Sequence, residues 1–277
     1  VTPVDEAAEL AAADANLIAS LRAPARWQGA AAELRDDGGL LVVAGATRFP
    51  GGLANFAARL DQRLAPAEAL ARAAAFFVAR QRGFSLYLRE PCDGDLIAAT
   101  SAAELTTLAT MPWMTLPRPL PETAPPDGVT LRFSDGDGDG RQVSADAAAV
   151  CAEAYESMGL PPAVTASLFG APAGVDPASR VVVAYVEGVA AATARLEPGG
   201  GVAGVYWVAT RPALRGRGLG EACTRAVTNA GFAAGARFAV LQASPMGAPI
   251  YARLGFVTRW QCRWVLVTRD QARALAG

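Results

Sequence analysis

Hydrophobic positions along this chain recur in short blocks whose spacing alternates between helical and strand-like. Residues 7–21 carry alanine and leucine at helical spacing, and residues 40–46 (LLVVAGA) form an apolar run of strand length. Residues 66–81 predict a helix with Pro66 at its start, where a missing N–H is tolerated. Residues 84–88 (FSLYL) alternate apolar and polar side chains, the pattern of a half-buried strand, and residues 96–108 return to helix. Between residues 111 and 126 stand Pro112, Pro117, Pro119, Pro121, Pro125 and Pro126. Proline fixes φ and donates no hydrogen bond, so this stretch predicts a stiff, extended connection.

The pattern resumes with a strand at 129–133 and a helix at 145–157. Strands at 180–186 and 189–196 form a hairpin around Glu187-Gly188. A strand at 203–210, a helix at 219–234 and a buried strand at 237–243 (RFAVLQA) follow. A short helix starts near residues 246–248, since Pro249 fits only a first turn, and ends at Gly255; a last strand covers 261–268. At 277 residues the chain suits two domains of about 140 residues each. The predicted division is a domain at 1–115, a proline-rich linker at 116–128 and a second domain at 129–277.

Composition narrows the chemistry. Hydrophobic residues make up 52% of the chain, ample for packed cores. The net charge of −1 leaves no basic footprint for nucleic acid. All 25 basic residues are arginine and there is no histidine, which removes the commonest general base and the commonest metal ligand; no metal site is expected. Cys92, Cys151, Cys223 and Cys262 lie far apart without a C-x-x-C pair, as reduced thiols of a cytoplasmic protein would. No basic segment leading into an apolar core marks a signal peptide, and no apolar run approaches the ~18 residues of a membrane span.

Candidate chemistry concentrates after the strand at 203–210, where Arg215, Gly216, Arg217, Gly218, Leu219 and Gly220 lead into a helix. Glycines at alternate positions let backbone approach a ligand, and a helix start aims unpaired N–H groups and the positive end of its dipole outward. Arg215 and Arg217 add charge-assisted donors, which together make a pyrophosphate cradle. A P-loop is excluded because the chain has no lysine. A dinucleotide fingerprint is excluded because the third glycine comes one position early and no acidic residue lies between Glu221 and Asp270. Downstream comes Ser244, then Tyr251-Ala-Arg-Leu-Gly255-Phe256.

Arg215-x-x-Gly218-x-Gly220 resembles motif A of the GNAT superfamily of N-acetyltransferases, Gln/Arg-x-x-Gly-x-Gly/Ala. Ser244 through Phe256 resembles its motif B, Asn/Ser followed by Tyr-x-x-x-Gly-Phe, with serine for the commoner asparagine. The resemblance is firm over 202–257 and extends over 129–268. It implies an α/β (α+β) fold of the acyl-CoA N-acyltransferase type: a mixed, mostly antiparallel sheet flanked by helices. Two such domains would stand in tandem, the N-terminal one degenerate because no glycine cradle leads into a helix there. An unrelated α/β domain is the alternative for that half.

The activity implied is transfer of an acetyl group from acetyl-CoA, as cosubstrate, to a primary amine by direct attack without an acyl-enzyme. Motif A would carry the pyrophosphate. Backbone groups of Val208, Ala209 and Thr210, with Ser244, would hold the pantetheine arm, and the N–H of Val208 would polarise the thioester carbonyl. Tyr251 matches the position whose hydroxyl contacts the sulfur and can protonate the leaving thiolate; a plain core tyrosine is the alternative. The general base stays open. Family members often place a glutamate on the fourth strand, where this chain has Tyr206 and no acid. Glu153, Glu156, a backbone-held water or no dedicated base remain. The partner would be a small-molecule or peptide amine, with neither nucleic acid nor membrane, and the protein a monomer or homodimer. A non-catalytic acyl-CoA-binding sensor or docking module is the competing function.

Two further patterns point elsewhere. Asp135, Asp137 and Asp139 alternate with glycine, and Asp146 stands in the twelfth place of a calcium-like loop. A preceding strand, Gln142 in the eighth place and the short twelfth acid favour a solvated turn near a helix start. Residues 80–85 (RQRGFS) imitate a damaged motif A, but a strand follows, so Gly83 is expected to cap a helix C-terminus.

Overall fold

The computed structural model describes residues 5–135, 139–169 and 179–277. In chain order the elements are α1 (Glu6–Gln28), β1 (Glu33–Asp37), β2 (Leu40–Ala44), β3 (Asn55–Arg59), α2 (Pro66–Val78), β4 (Phe84–Arg89), α3 (Gly94–Ala102) and β5 (Thr106–Leu116). Then follow β6 (Val129–Phe133), α4 (Gly140–Glu156), α5 (Pro162–Phe169), β7 (Arg180–Val186), β8 (Val189–Gly199) and β9 (Val202–Thr210). The chain ends with α6 (Leu219–Ala233), β10 (Phe238–Gln242), α7 (Ala248–Leu254), β11 (Val257–Val267) and α8 (Arg269–Ala276).

Two compact units emerge, and they are not contiguous halves. The larger draws on Val1–Leu21 and Met114–Val257, the smaller on Arg22–Trp113 and Thr258–Gly277. The chain ends therefore exchange. Residues 258–277 group with the smaller unit because β11 pairs antiparallel with β4, from Cys262↔Arg89 to Val267↔Phe84. Residues up to Leu21 group with the larger because buried Asn16 accepts from the Tyr206 hydroxyl at 2.8 Å and donates to the Glu197 carbonyl at 2.9 Å.

In the larger unit β6, β7, β8 and β9 pair antiparallel in chain order, and β10 joins β9 in parallel across α6. The β7–β8 turn places Glu187 (φ 52°) and Gly188 (φ 79°) in the left-handed region, the geometry that matches strand twist in a two-residue hairpin. Helix α6 lies close on β9, since a Cβ on Gly231 would come 2.3 Å from that of Ala203. Val205, Cys223, Val227, Leu196 and Leu241 fill the core between them.

In the smaller unit β1, β2 and β3 pair antiparallel, β4 joins β3 in parallel across α2, and β11 follows β4. Its core gathers Val42, Phe77, Phe84, Leu86, Leu88 and Val265, with Phe77 stacked on Phe84 at 4.5 Å. Strand β4 is buried along its whole length rather than on one face.

Several expectations change. The predicted helix at 96–108 ends at Ala102, and Thr106–Leu116 is strand, with Pro112 inside it. The connection after Leu116 is a packed strap rather than a free tether: buried Leu120 exchanges hydrogen bonds of 2.8 and 2.9 Å with Asn229 of α6. Gly83 does not cap α2. Gln81 takes the left-handed conformation (φ 54°), while Gly83 lets backbone pass close, a Cβ there meeting the Val267 carbonyl at 2.9 Å. Of the calcium-like loop, residues 136–138 lie outside the described residues. Asp139 caps α4 by accepting from the Arg141 and Gln142 amides, and Asp146 sits within that helix, accepting from the Tyr185 hydroxyl at 2.7 Å.

Candidate functional site

The site begins with a strand pair that separates. β9 and β10 pair through Phe238↔Val202, Ala239↔Ala203 and Val240↔Gly204, and beyond Gly204 β9 keeps register with β8 alone. There it is interrupted by a bulge. Thr193 faces Ala209 and Arg195 faces Tyr206, so Trp207 and Val208 together oppose one residue. Trp207 takes φ 54°, rare for a bulky side chain. The ring is wedged edge-on against Tyr155 (5.9 Å) and Phe169 (5.4 Å), and its carbonyl accepts from the Cys151 thiol at 3.8 Å. Packing against α4 and α5 thus fixes a strained turn of backbone.

A cavity of about 290 Å³ opens where the strands part. Val208, Ala209 and Thr210 line it from β9; Arg215, Gly216, Gly218, Leu219 and Gly220 line it from the loop and the start of α6; Ser244 and Tyr251 line it from the far side. Every singled-out residue except Arg217 is therefore brought to one cavity. Arg217 is exposed and does not line it.

The loop geometry is that of an anion cradle. Gly216 (φ 78°) and Gly218 (φ 74°) are left-handed, and a Cβ would meet nothing within 4 Å at Gly216 and only Pro126, at 3.7 Å, at Gly218. The first hydrogen bond of α6 runs from the Ala222 amide to the Gly218 carbonyl at 3.0 Å. Backbone N–H groups of residues 216–221 have no partner among the described residues. Six donors grouped at a helix start, beside open space, create positive potential without a cationic side chain. The Arg215 guanidinium is held at the end of α4, donating to the Ser157 hydroxyl at 2.7 Å. Glu221, the one acid lining the cavity, pairs with Arg225 at 3.1 Å.

Tyr251 projects from α7, whose C-terminus is closed by left-handed Gly255 (φ 98°). The side chain is buried, and that burial pushes its phenol up to about 12. Its hydroxyl has no hydrogen-bond partner among the described residues. The acids considered as bases are engaged elsewhere: Glu153 pairs with Arg211, and Glu156 accepts from the Thr165 hydroxyl. Tyr206, at the strand position of the family glutamate, is tied to Asn16. Sequence reasoning missed Arg253, Met158, Met246 and Ile250 on the cavity wall. Arg253 could have been found, being two residues past Tyr251 on α7.

Residues 177–258 match the family model described as "Acetyltransferase (GNAT) domain". Among solved structures, a GCN5-related N-acetyltransferase from Kribbella flavida is 24% identical, with TM-score 0.63 over 91% of this chain and 94% of its own. A GCN5-related N-acetyltransferase from Sphaerobacter thermophilus is 16% identical, with TM-score 0.61 over 95% and 93%. A tandem GNAT protein from the clavulanic acid biosynthesis pathway is 15% identical, with TM-score 0.57 over 87% and 84%. A search of curated proteins gives no match. Among the described residues no helix is long and apolar enough to cross a membrane.

Proposed function

From a chain that carries a GNAT acetyltransferase domain in a two-domain GNAT fold, we propose an N-acetyltransferase that moves the acetyl group of acetyl-CoA onto a primary amine within a ternary complex. The observation that carries this reading is the meeting, in one cavity, of six amides and the hydroxyl of a largely buried tyrosine, none with a partner among the described residues. The amides and Arg215 fit a pyrophosphate. Val208, Ala209, Thr210 and Ser244 fit the narrower arm leading to Tyr251. The amine nitrogen bonds to the acetyl carbon as the carbon–sulfur bond breaks, and the proton the amine sheds balances the thiolate that leaves.

Tyr251 serves better as a hydrogen-bond donor to that thiolate than as the acid that surrenders its proton. Burial raises the phenol to about 12, so it keeps its proton at neutral pH and is available as a donor. A donor that stays protonated lowers the charge developing on sulfur throughout. No carboxylate is assigned as base, so the amine is expected to arrive neutral. The acceptor is a small-molecule or peptide amine, and the cytoplasm is the expected compartment.

The test is release of free CoA, followed with a thiol reagent against a panel of primary amines. Amine-dependent release supports the proposal, and saturable CoA binding without release from any amine supports a second reading, an acyl-CoA sensor. The engaged state of Glu153, Glu156 and Tyr206 is the observation that favours that alternative.

A further inference from the structure

The smaller unit repeats the topology that creates the cavity: β3, α2 and β4 form a parallel β-α-β crossover, as β9, α6 and β10 do. We infer that the smaller unit closes this second crossover with its own charged side chains, so that the chain offers an acyl-CoA ligand one site and not two. The inference rests on the function proposed above only for the choice of probe.

The contrast starts in the loops. Residues 60–65 (LDQRLA) occupy the place of the glycine cradle and contain no glycine. Four of their six amides are bonded: Leu60 and Asp61 to the Gly39 carbonyl at 2.6 and 3.2 Å, Leu64 to the Asp61 carbonyl at 3.0 Å, and Arg63 to the Asp61 carboxylate at 2.9 Å. Pro66 opens α2 and has no N–H to offer. An anion is nevertheless present. The Asp61 carboxylate accepts from the Arg63 amide at 2.9 Å and from its guanidinium at 2.7 Å. Those hydrogen bonds hold the carboxyl down to about 2, so it stays charged. Asp61 thus adds a negative charge to the loop that leads into α2, where the glycine cradle has none.

Beneath it, the strand ends are stitched together instead of parting. Arg59 ends β3, Arg89 ends β4, and Asp93 bridges them; the three are 1%, 2% and 0% exposed. Arg59 donates to Asp93 at 3.1 Å, to Asp95 at 2.5 Å, and to the Leu64 and Cys92 carbonyls at 3.1 and 3.2 Å. Arg89 donates to the other Asp93 oxygen from Nε at 3.0 Å and from its amide at 2.9 Å, and also reaches the Arg59 carbonyl. Two guanidiniums meet two carboxylates, buried Asp93 and half-exposed Asp95, so the charges of the cluster balance. A ligand arm could enter only by dismantling it.

Hydrogen exchange on the full chain, with and without CoA, tests this, together with binding stoichiometry by calorimetry. In the ligand-free protein, amides of residues 60, 61, 64, 89 and 93 should exchange at least a hundredfold more slowly than those of 216–221. Saturating CoA should bind at one equivalent and protect 216–221 while leaving 60–64 unchanged. Asp93→Ala risks unfolding the unit, so the milder probe is Asp95→Asn, whose side chain is 54% exposed. It should speed exchange at residues 89 and 93 about tenfold and keep one equivalent of CoA. Fast exchange at residues 60, 61 and 64 in the free chain, a second equivalent, or CoA-induced protection there would overturn the inference. Failure of CoA to bind at all would strike the proposed function instead, and the ligand-free exchange rates would still decide this one.

Discussion

Replacing Tyr251 by phenylalanine removes one oxygen from the cavity wall and nothing else. The hydroxyl makes no hydrogen bond among the described residues, so its loss breaks none in the resting protein. The ring keeps its edge-on contact with Phe256 at 6.1 Å and its buried place on α7. Thermal stability of Tyr251→Phe should therefore stay within about 1 kcal/mol of the parent. Catalysis should respond differently. A hydrogen bond to a charged group contributes about 1.5–3 kcal/mol, and here the charge exists only as the carbon–sulfur bond breaks. That corresponds to a loss of roughly 10- to 150-fold in kcat with little change in the KM for acetyl-CoA. Because burial holds the phenol near 12, no ionisation of Tyr251 should appear in the parent's kcat profile up to about pH 10. The assay is thiol release under saturating amine, with chemistry established as rate-limiting by single-turnover measurement. Parent-like kcat in Tyr251→Phe would assign the side chain to packing and refute the donor role.

Gly218→Asn keeps a residue that tolerates the left-handed conformation required at φ 74° but adds a side chain at a position that lines the cavity, its Cβ 3.7 Å from Pro126. Calorimetry should show CoA affinity falling at least tenfold with only a small change in melting temperature, and unchanged affinity would remove the cradle from the account. Asn16→Ala deletes two hydrogen bonds from α1 within the larger unit, to the Tyr206 hydroxyl and the Glu197 carbonyl. Urea unfolding should register a loss of about 1–3 kcal/mol, and a loss below ~0.5 kcal/mol would show that α1 is loosely held. A chain beginning at Asp127 lacks Asn16, Met114, Leu116 and Leu120 from the larger unit and the β4 partner of β11. It should aggregate or unfold, and a soluble, cooperatively folded product would contradict the exchanged division of the chain.

What could be read from the sequence followed from how local its causes were. The 219–234 helix, the 237–243 strand and the Gly255 stop came through within a residue or two, because cradle glycines, an apolar run and a left-handed cap are local features. β1 escaped because ELRDD is an exposed edge strand whose partner, not whose pattern, defines it. β3 escaped because two of its five buried residues are polar, Asn55 and Arg59, and only the bonded groups of distant residues make their burial possible. The exchange of chain ends rests on β11 finding β4 far along the chain, and no spacing rule reports such pairing. At the site, motif spacing picked out residues that, Arg217 excepted, line one cavity, whereas the bulge at Trp207 and the engagement of Glu153 and Glu156 depend on helices packed from elsewhere.

In the proposed function an acyl-CoA ligand sits between the parted ends of β9 and β10. A crystal structure of the full chain soaked with acetyl-CoA addresses it most directly. Pyrophosphate oxygens are expected within hydrogen-bonding distance of the amides of residues 216–221, with the thioester sulfur at the Tyr251 hydroxyl and one ligand per chain. Acetyl-CoA bound elsewhere, with those amides still facing solvent, would contradict it.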